Sequence, residues 1–129
     1  SMTMSERDRA VGYFRKFALI CPDAERISYF SLFDRLRGTC RTEAAALRLL
    51  AVFDTLRFLE ATGQAETAEA VRAVYMIGGG KAPGRNEISR RVRRFALSHN
   101  MDDRTVWRRL SEAKALYNSL IFSCGGKAK

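Results

Sequence analysis

Residues 95–117 read FALSHNMDDRTVWRRLSEAKALY, and the reading of this stretch decides the fold. Val106, Leu110, Ala113, Tyr117 and, just beyond it, Leu120 recur at spacings of 4, 3, 4 and 3. That period lays one apolar seam along a helix that starts at Met101 or Asp102 and runs to about Phe122. Upstream, Ile88, Val92, Phe95 and His99 share one face of another helix, Glu87 to about Ser98, with Asn86 as its cap. Its other faces carry Arg90, Arg91, Arg93 and Arg94. Between the two helices, Asn100 is one of the few non-glycine residues that tolerate the left-handed backbone of a tight turn. Met101 is expected to plug the underside of the turn, and Asp102 to accept from the free N–H groups of the following helix. Two helices so joined have the proportions of a helix-turn-helix, whose second helix enters the major groove by its N-terminal residues.

Working outward, the remaining segments also read as helix, with no sustained β-alternation. A first helix, roughly Glu6 to Ile20, places Val11, Phe14, Phe17 or Ala18, and Cys21 on one face and stops at Cys21-Pro22. Asp23 is expected to cap a second helix through about Arg37, closed by Gly38. Thr42 caps a third and longest one, Glu43 to about Ala61, ended by Gly63. Its apolar residues wrap most of the way round, as expected of a helix that is central to a core or meets another chain. A fourth helix spans Glu66 to about Ile77. The expectation is an all-α chain of about six helices: a helical scaffold over 3–77, a Gly-rich connector over 78–85, a basic helix-turn-helix over 86–123 and a tail over 124–129.

Charge is distributed unevenly along this plan. The chain of 129 residues carries a formal net charge of +9. Residues 1–80 hold 11 Arg or Lys against 10 Asp or Glu, whereas residues 81–129 hold 12 against 4. A concentrated basic segment beside a near-neutral one is the electrostatic footprint of a nucleic-acid module on a scaffold. Other chemistries find little support. Cys21, Cys40 and Cys124 show no metal-ligand spacing and read as reduced structural thiols. Lys81 of GGGKAPGR, residues 78–85, is followed by Ala82 where a phosphate-binding loop needs Ser or Thr. The single histidine lacks a nucleophile partner, and the carboxylates fall at capping positions or on exposed faces, so no enzyme and no cofactor is expected. Neither a membrane span nor a secretory signal pattern is visible, and the expected location is the cytoplasm of a bacterial host.

The segment Phe95–Tyr117 resembles the region-four helix-turn-helix of sigma-70 family factors. It is more closely similar to the phage-encoded ArpU and RinA type of transcriptional regulators, which share that module. Phe95, Ala96, Asn100, Met101, Asp102, Thr105, Val106, Trp107, Arg108 and Arg109 stand in the places of the family pattern. Asn100 replaces the turn glycine, His99 occupies a position usually filled by leucine, and the first of the two helices starts about two turns earlier. The likeness covers about 50 residues and leaves the N-terminal half unplaced.

This resemblance implies a DNA-binding regulator in which Asp103, Arg104, Thr105, Arg108 and Arg109 contact base edges from the first two turns of the recognition helix. Arginine can donate twice to guanine, threonine can meet a base edge or a thymine methyl, and aspartate can accept from cytosine. Thr105 has the alternative of serving only the helix cap. Lys81, Arg85, Arg90, Arg91, Arg93, Arg94 and Lys114 are assigned to phosphates, which position without reading sequence. His99 is expected to be a satisfied core or boundary residue. Trp107 is expected to anchor the helix on a neighbouring segment, with base stacking or a phosphate contact as the alternative. Besides DNA, the implied partners are RNA polymerase and a second copy meeting through the N-terminal helices. The competing reading is a small helical module or inhibitor acting on a host nucleic-acid-processing protein, motivated by the apolar second and third helices.

Overall fold

The computed structural model describes residues 4–79, 81–84 and 86–123; Gly80, Arg85, Cys124 and the rest of the 124–129 tail lie outside the described residues. Six α-helices follow one another: α1 (Met4–Ile20), α2 (Tyr29–Thr39), α3 (Glu43–Ala61), α4 (Ala65–Tyr75), α5 (Glu87–Ser98) and α6 (Asp103–Ser123). A single 3-10 turn, Ala24–Arg26, joins α1 to α2, and no strand occurs among the described residues. The all-α expectation of about six helices holds.

The second helix departs from its sequence reading. Asp23 makes no side-chain cap. Its carboxylate is taken by Arg35, whose guanidinium donates to both oxygens at 2.6 and 3.0 Å. This pair holds the Asp23 carboxyl below its usual range. The helix proper begins five residues later, where the Ser28 hydroxyl accepts from the Ser31 N–H at 3.0 Å. Gly38 does not close it but lies inside it. Tyr29 and Phe30 are exposed, while Leu32 and Leu36 are buried.

Helix α3 behaves as its sequence suggests. Thr42 accepts from the Ala45 N–H at 3.0 Å, and the helix ends where Gly63 takes a φ of 79°. The Gln64 N–H returns to the Leu59 carbonyl at 2.7 Å, satisfying one of the free carbonyls of the last turn. Four helices, α1, α2, α4 and α6, pack around α3. That is why its apolar residues run nearly all round, and the central-core reading accounts for them.

The last helix belongs to the same core. α6 packs on α1, α3 and α4 as well as on α5, and Val106, Leu110, Ala113 and Tyr117 are all fully buried along it. One cluster of buried side chains runs from Ala10 in α1 to Tyr117 in α6. The far half of α6 is thereby clamped in the scaffold while its first two turns reach the surface beside α5.

Candidate nucleic-acid interface

The turn between α5 and α6 is built by backbone hydrogen bonds that its sequence permits. Asn100 has a φ of 58°, the one non-glycine residue with positive φ among those described. With the chain reversed there, the Met101 N–H reaches the Ala96 carbonyl at 2.9 Å and the Asn100 N–H reaches Leu97 at 3.4 Å. These are the two bonds of a Schellman termination, and Met101 packs partly buried against the core beneath it. Asp102 then accepts from the Arg104 N–H at 3.2 Å, capping α6 and placing a carboxylate where the helix N-terminus favours one. Asn86, by contrast, makes no side-chain cap on α5. Replacing Asn100 with Ala should cost about 1–2 kcal/mol, because the left-handed conformation then lacks the compensation an asparagine supplies. Asn100→Gly should be tolerated. Chemical denaturation of the two variants measures the difference.

Among the residues assigned to bases, the structure separates two kinds. Arg104 and Arg108 are exposed, one turn apart on the outer face of α6, and their side chains have no partner among the described residues. Thr105 is half-buried beside them. Asp103 is engaged elsewhere: its Oδ2 accepts from Arg93 Nε at 2.9 Å, tying α6 to α5. Arg109 is also engaged, NH1 donating to Glu66 on α4 at 2.8 Å. It therefore does not face outward with Arg104 and Arg108 but packs the helix against the scaffold.

The phosphate assignments divide likewise. Arg94 is exposed with no partner among the described residues, and Lys81 is exposed on the connector. Arg90 pairs with Glu87 at 2.9 Å and Arg93 with Asp103, each arginine side chain more than 60 % exposed. Pairs of that exposure are worth at most about 1 kcal/mol, and each guanidinium has further donors that a phosphate can take. Arg91 is a correction. Only 8 % exposed, it donates to the Val74 carbonyl at 2.9 Å and to Glu87 at 3.1 Å, closing the last turn of α4 from α5. A side chain on Gly78, whose φ is 95°, would meet the terminal nitrogen of Arg91 at 3.1 Å. Lys114 is a second correction: half-buried, its Nζ stands 5.0 Å from the Tyr75 ring centre and so faces α4. Arg85 lies outside the described residues.

Two further side chains were placed by the sequence reading. His99 is a boundary residue, stacked on Phe95 at 3.8 Å, with Nδ1 3.1 Å from the Phe95 carbonyl and Nε2 3.3 Å from Glu69 of α4. Trp107 keeps 39 % of its surface exposed, so the anchor expected of it is at most partial. Its position, about 100° round the helix from Val106, puts it past the edge of the seam. Leu97, 74 % exposed, stands with Arg90, Arg93, Arg94 and Asp103 along an open groove of about 550 Å³. The ties Arg93–Asp103, Arg109–Glu66 and His99–Glu69 have no local sequence signal, because each joins residues at least ten positions apart.

The Glu87 carboxyl is held below its usual range by its hydrogen bond from Arg90 and then by that from Arg91. A depressed carboxyl stabilises the fold above its unfolded-state value, and that contribution is lost as pH falls through the folded-state value. Wild type should therefore melt above Glu87→Gln near neutrality, and the gap should close as pH falls through the acid range below the usual value for a glutamate. Thermal unfolding followed by circular dichroism across that range reads it.

Comparison of the chain with protein-family models, with curated proteins and with solved structures finds no match. No cluster of His, Cys, Asp or Glu able to hold a metal ion occurs among the described residues, and none of their helices is long and apolar enough to cross a membrane.

Proposed function

We propose that the chain is a sequence-specific DNA-binding transcriptional regulator of phage or prophage type, acting in the cytoplasm of a bacterial host and reading the major groove with the first two turns of α6. The observation that carries this reading is the pair of outward arginines, Arg104 and Arg108, without side-chain partners among the described residues, on a helix start presented by the Asn100 turn. Around them, Lys81, Arg90, Arg93 and Arg94 supply cations for the backbone on either side. The acidic residues of the turn are consistent with this role, since Asp102 caps the helix and Asp103 braces Arg93.

Duplex binding titrated across salt is the direct test. With Arg91, Arg109 and Lys114 turned inward, four to six exposed cations remain to neutralise phosphates, and the log–log slope should be about −4 to −5. Absence of duplex binding at low salt sinks the reading.

A second surface supports contact with another protein. Phe30, Tyr29 and Phe58 are 79, 50 and 46 % exposed on α2 and α3. Because α2 packs chiefly on α3, while α5 packs on α4 and α6, these aromatics stand apart from the basic face. RNA polymerase, a second copy of this chain, or a host nucleic-acid-processing protein would meet the molecule there. Stoichiometric binding of a host protein without duplex binding is the result that favours the inhibitor reading over the regulator.

A further inference from the structure

The exposed stripe of α6 runs Arg104, Arg108, Glu112, Ala115, and among these only the first two carry positive charge. Glu112 is exposed, so a phosphate brought against the third turn would meet a carboxylate. Nucleic acid is thus favoured at the tip of the helix and disfavoured along its length, which fits entry by the N-terminus.

At that tip the tertiary structure has already taken two of the four candidate charged readers. Asp103 is held by Arg93 at 2.9 Å and Arg109 by Glu66 at 2.8 Å. What remains is two guanidiniums at positions i and i+4. Each matches the paired O6 and N7 acceptors of guanine, and neither matches another base as well. Residues four apart on a helix have Cβ atoms about 5–6 Å apart, so the two arginines leave the helix side by side and address one half-site.

Resting on the DNA-binding reading, we infer that the target half-site carries two guanines, one read by Arg104 and one by Arg108, and that Arg109, held by Glu66, specifies no base. This makes the specificity a property of the scaffold as well as of α6, because Glu66 of α4 is what withdraws Arg109.

Selection of bound duplexes from a random pool tests it, first with wild type and then with charge-preserving variants. The recovered sites should share the guanine pair. Arg104→Lys should lose the preference at one guanine and Arg108→Lys at the other, by about 5- to 150-fold each, with the salt slope unchanged because the charge is kept. Replacing the guanines with 7-deazaguanine, which lacks the N7 acceptor, should weaken wild type at both positions. Arg109→Ala should leave both preferences in place. Circular dichroism of each variant confirms that the fold is retained, as expected for Arg104 and Arg108, which are exposed and have no side-chain partner among the described residues, and as a control for Arg109, whose truncation leaves Glu66 without its pair. Recovered sites without the pair, or lysine variants that keep both preferences, overturn the inference. Salt-dependent duplex binding in those same experiments would leave the DNA-binding reading standing; no duplex binding at low salt would overturn both.

Discussion

Val106→Asp is expected to abolish the cooperative fold of the whole chain, not only of the helix-turn-helix. Val106 has no exposed surface and belongs to the single core cluster. Losing its burial costs about 1.5–3 kcal/mol, and a carboxylate left there without a partner costs several kcal/mol more. Domains of this size are stable by about 5–15 kcal/mol in all, so the sum reaches the whole margin. Because α6 also packs on α1, α3 and α4, the damage cannot stay at the turn. Denaturant titration should show no folded baseline. A cooperative transition with a midpoint near that of wild type would mean that Val106 does not sit in the core.

At the other end of the same helix, Tyr117→Ala should cost about 3–5 kcal/mol, the range for emptying a buried aromatic site. Tyr117 is 1 % exposed, lies edge-on to Phe14 with ring centres 5.5 Å apart, and stands 5.9 Å from Tyr13. Its hydroxyl donates to the Arg48 carbonyl at 2.7 Å, and burial pushes its ionisation well above the usual range, so it stays a neutral donor. Tyr117→Phe removes that bond alone and should cost only about 1 kcal/mol. Equilibrium unfolding of the two variants separates the hydrogen bond from the packing. Equal losses would assign the residue's contribution to the bond. With Tyr117→Ala the anchored half of α6 loosens, and the first two turns lose the fixed angle at which the scaffold presents them.

How far the sequence carries depends on whether the cause of a feature is local. The turn at Asn100 and Met101 was legible because left-handed backbone, the Schellman bonds and the Asp102 cap all involve residues within six positions of one another. The seam of α6 was legible for a similar reason, helical period being an arithmetic of near neighbours. Asp23 shows where this fails. As a residue type it is a good cap, but Arg35, 12 positions away, holds it in a pair instead, and Ser28 starts the helix. Arg91 shows it again, for four arginines around one helix look equivalent until the end of α4 is known to lie against one of them. Trp107 was drawn inward by its hydrophobicity, although its angle from Val106 puts it at the margin of the seam.

By itself, then, the sequence determined the six helices, the turn and the concentration of positive charge, because periodicity, backbone preference and composition act over a few residues. Only the tertiary structure decided which charges are available. The carboxylates that hold Arg109 and contact His99 come from Glu66 and Glu69 of α4, and the carbonyl that takes Arg91 comes from Val74 of the same helix. Pairing of this kind is settled by which helices pack together, and helix packing depends on the whole core.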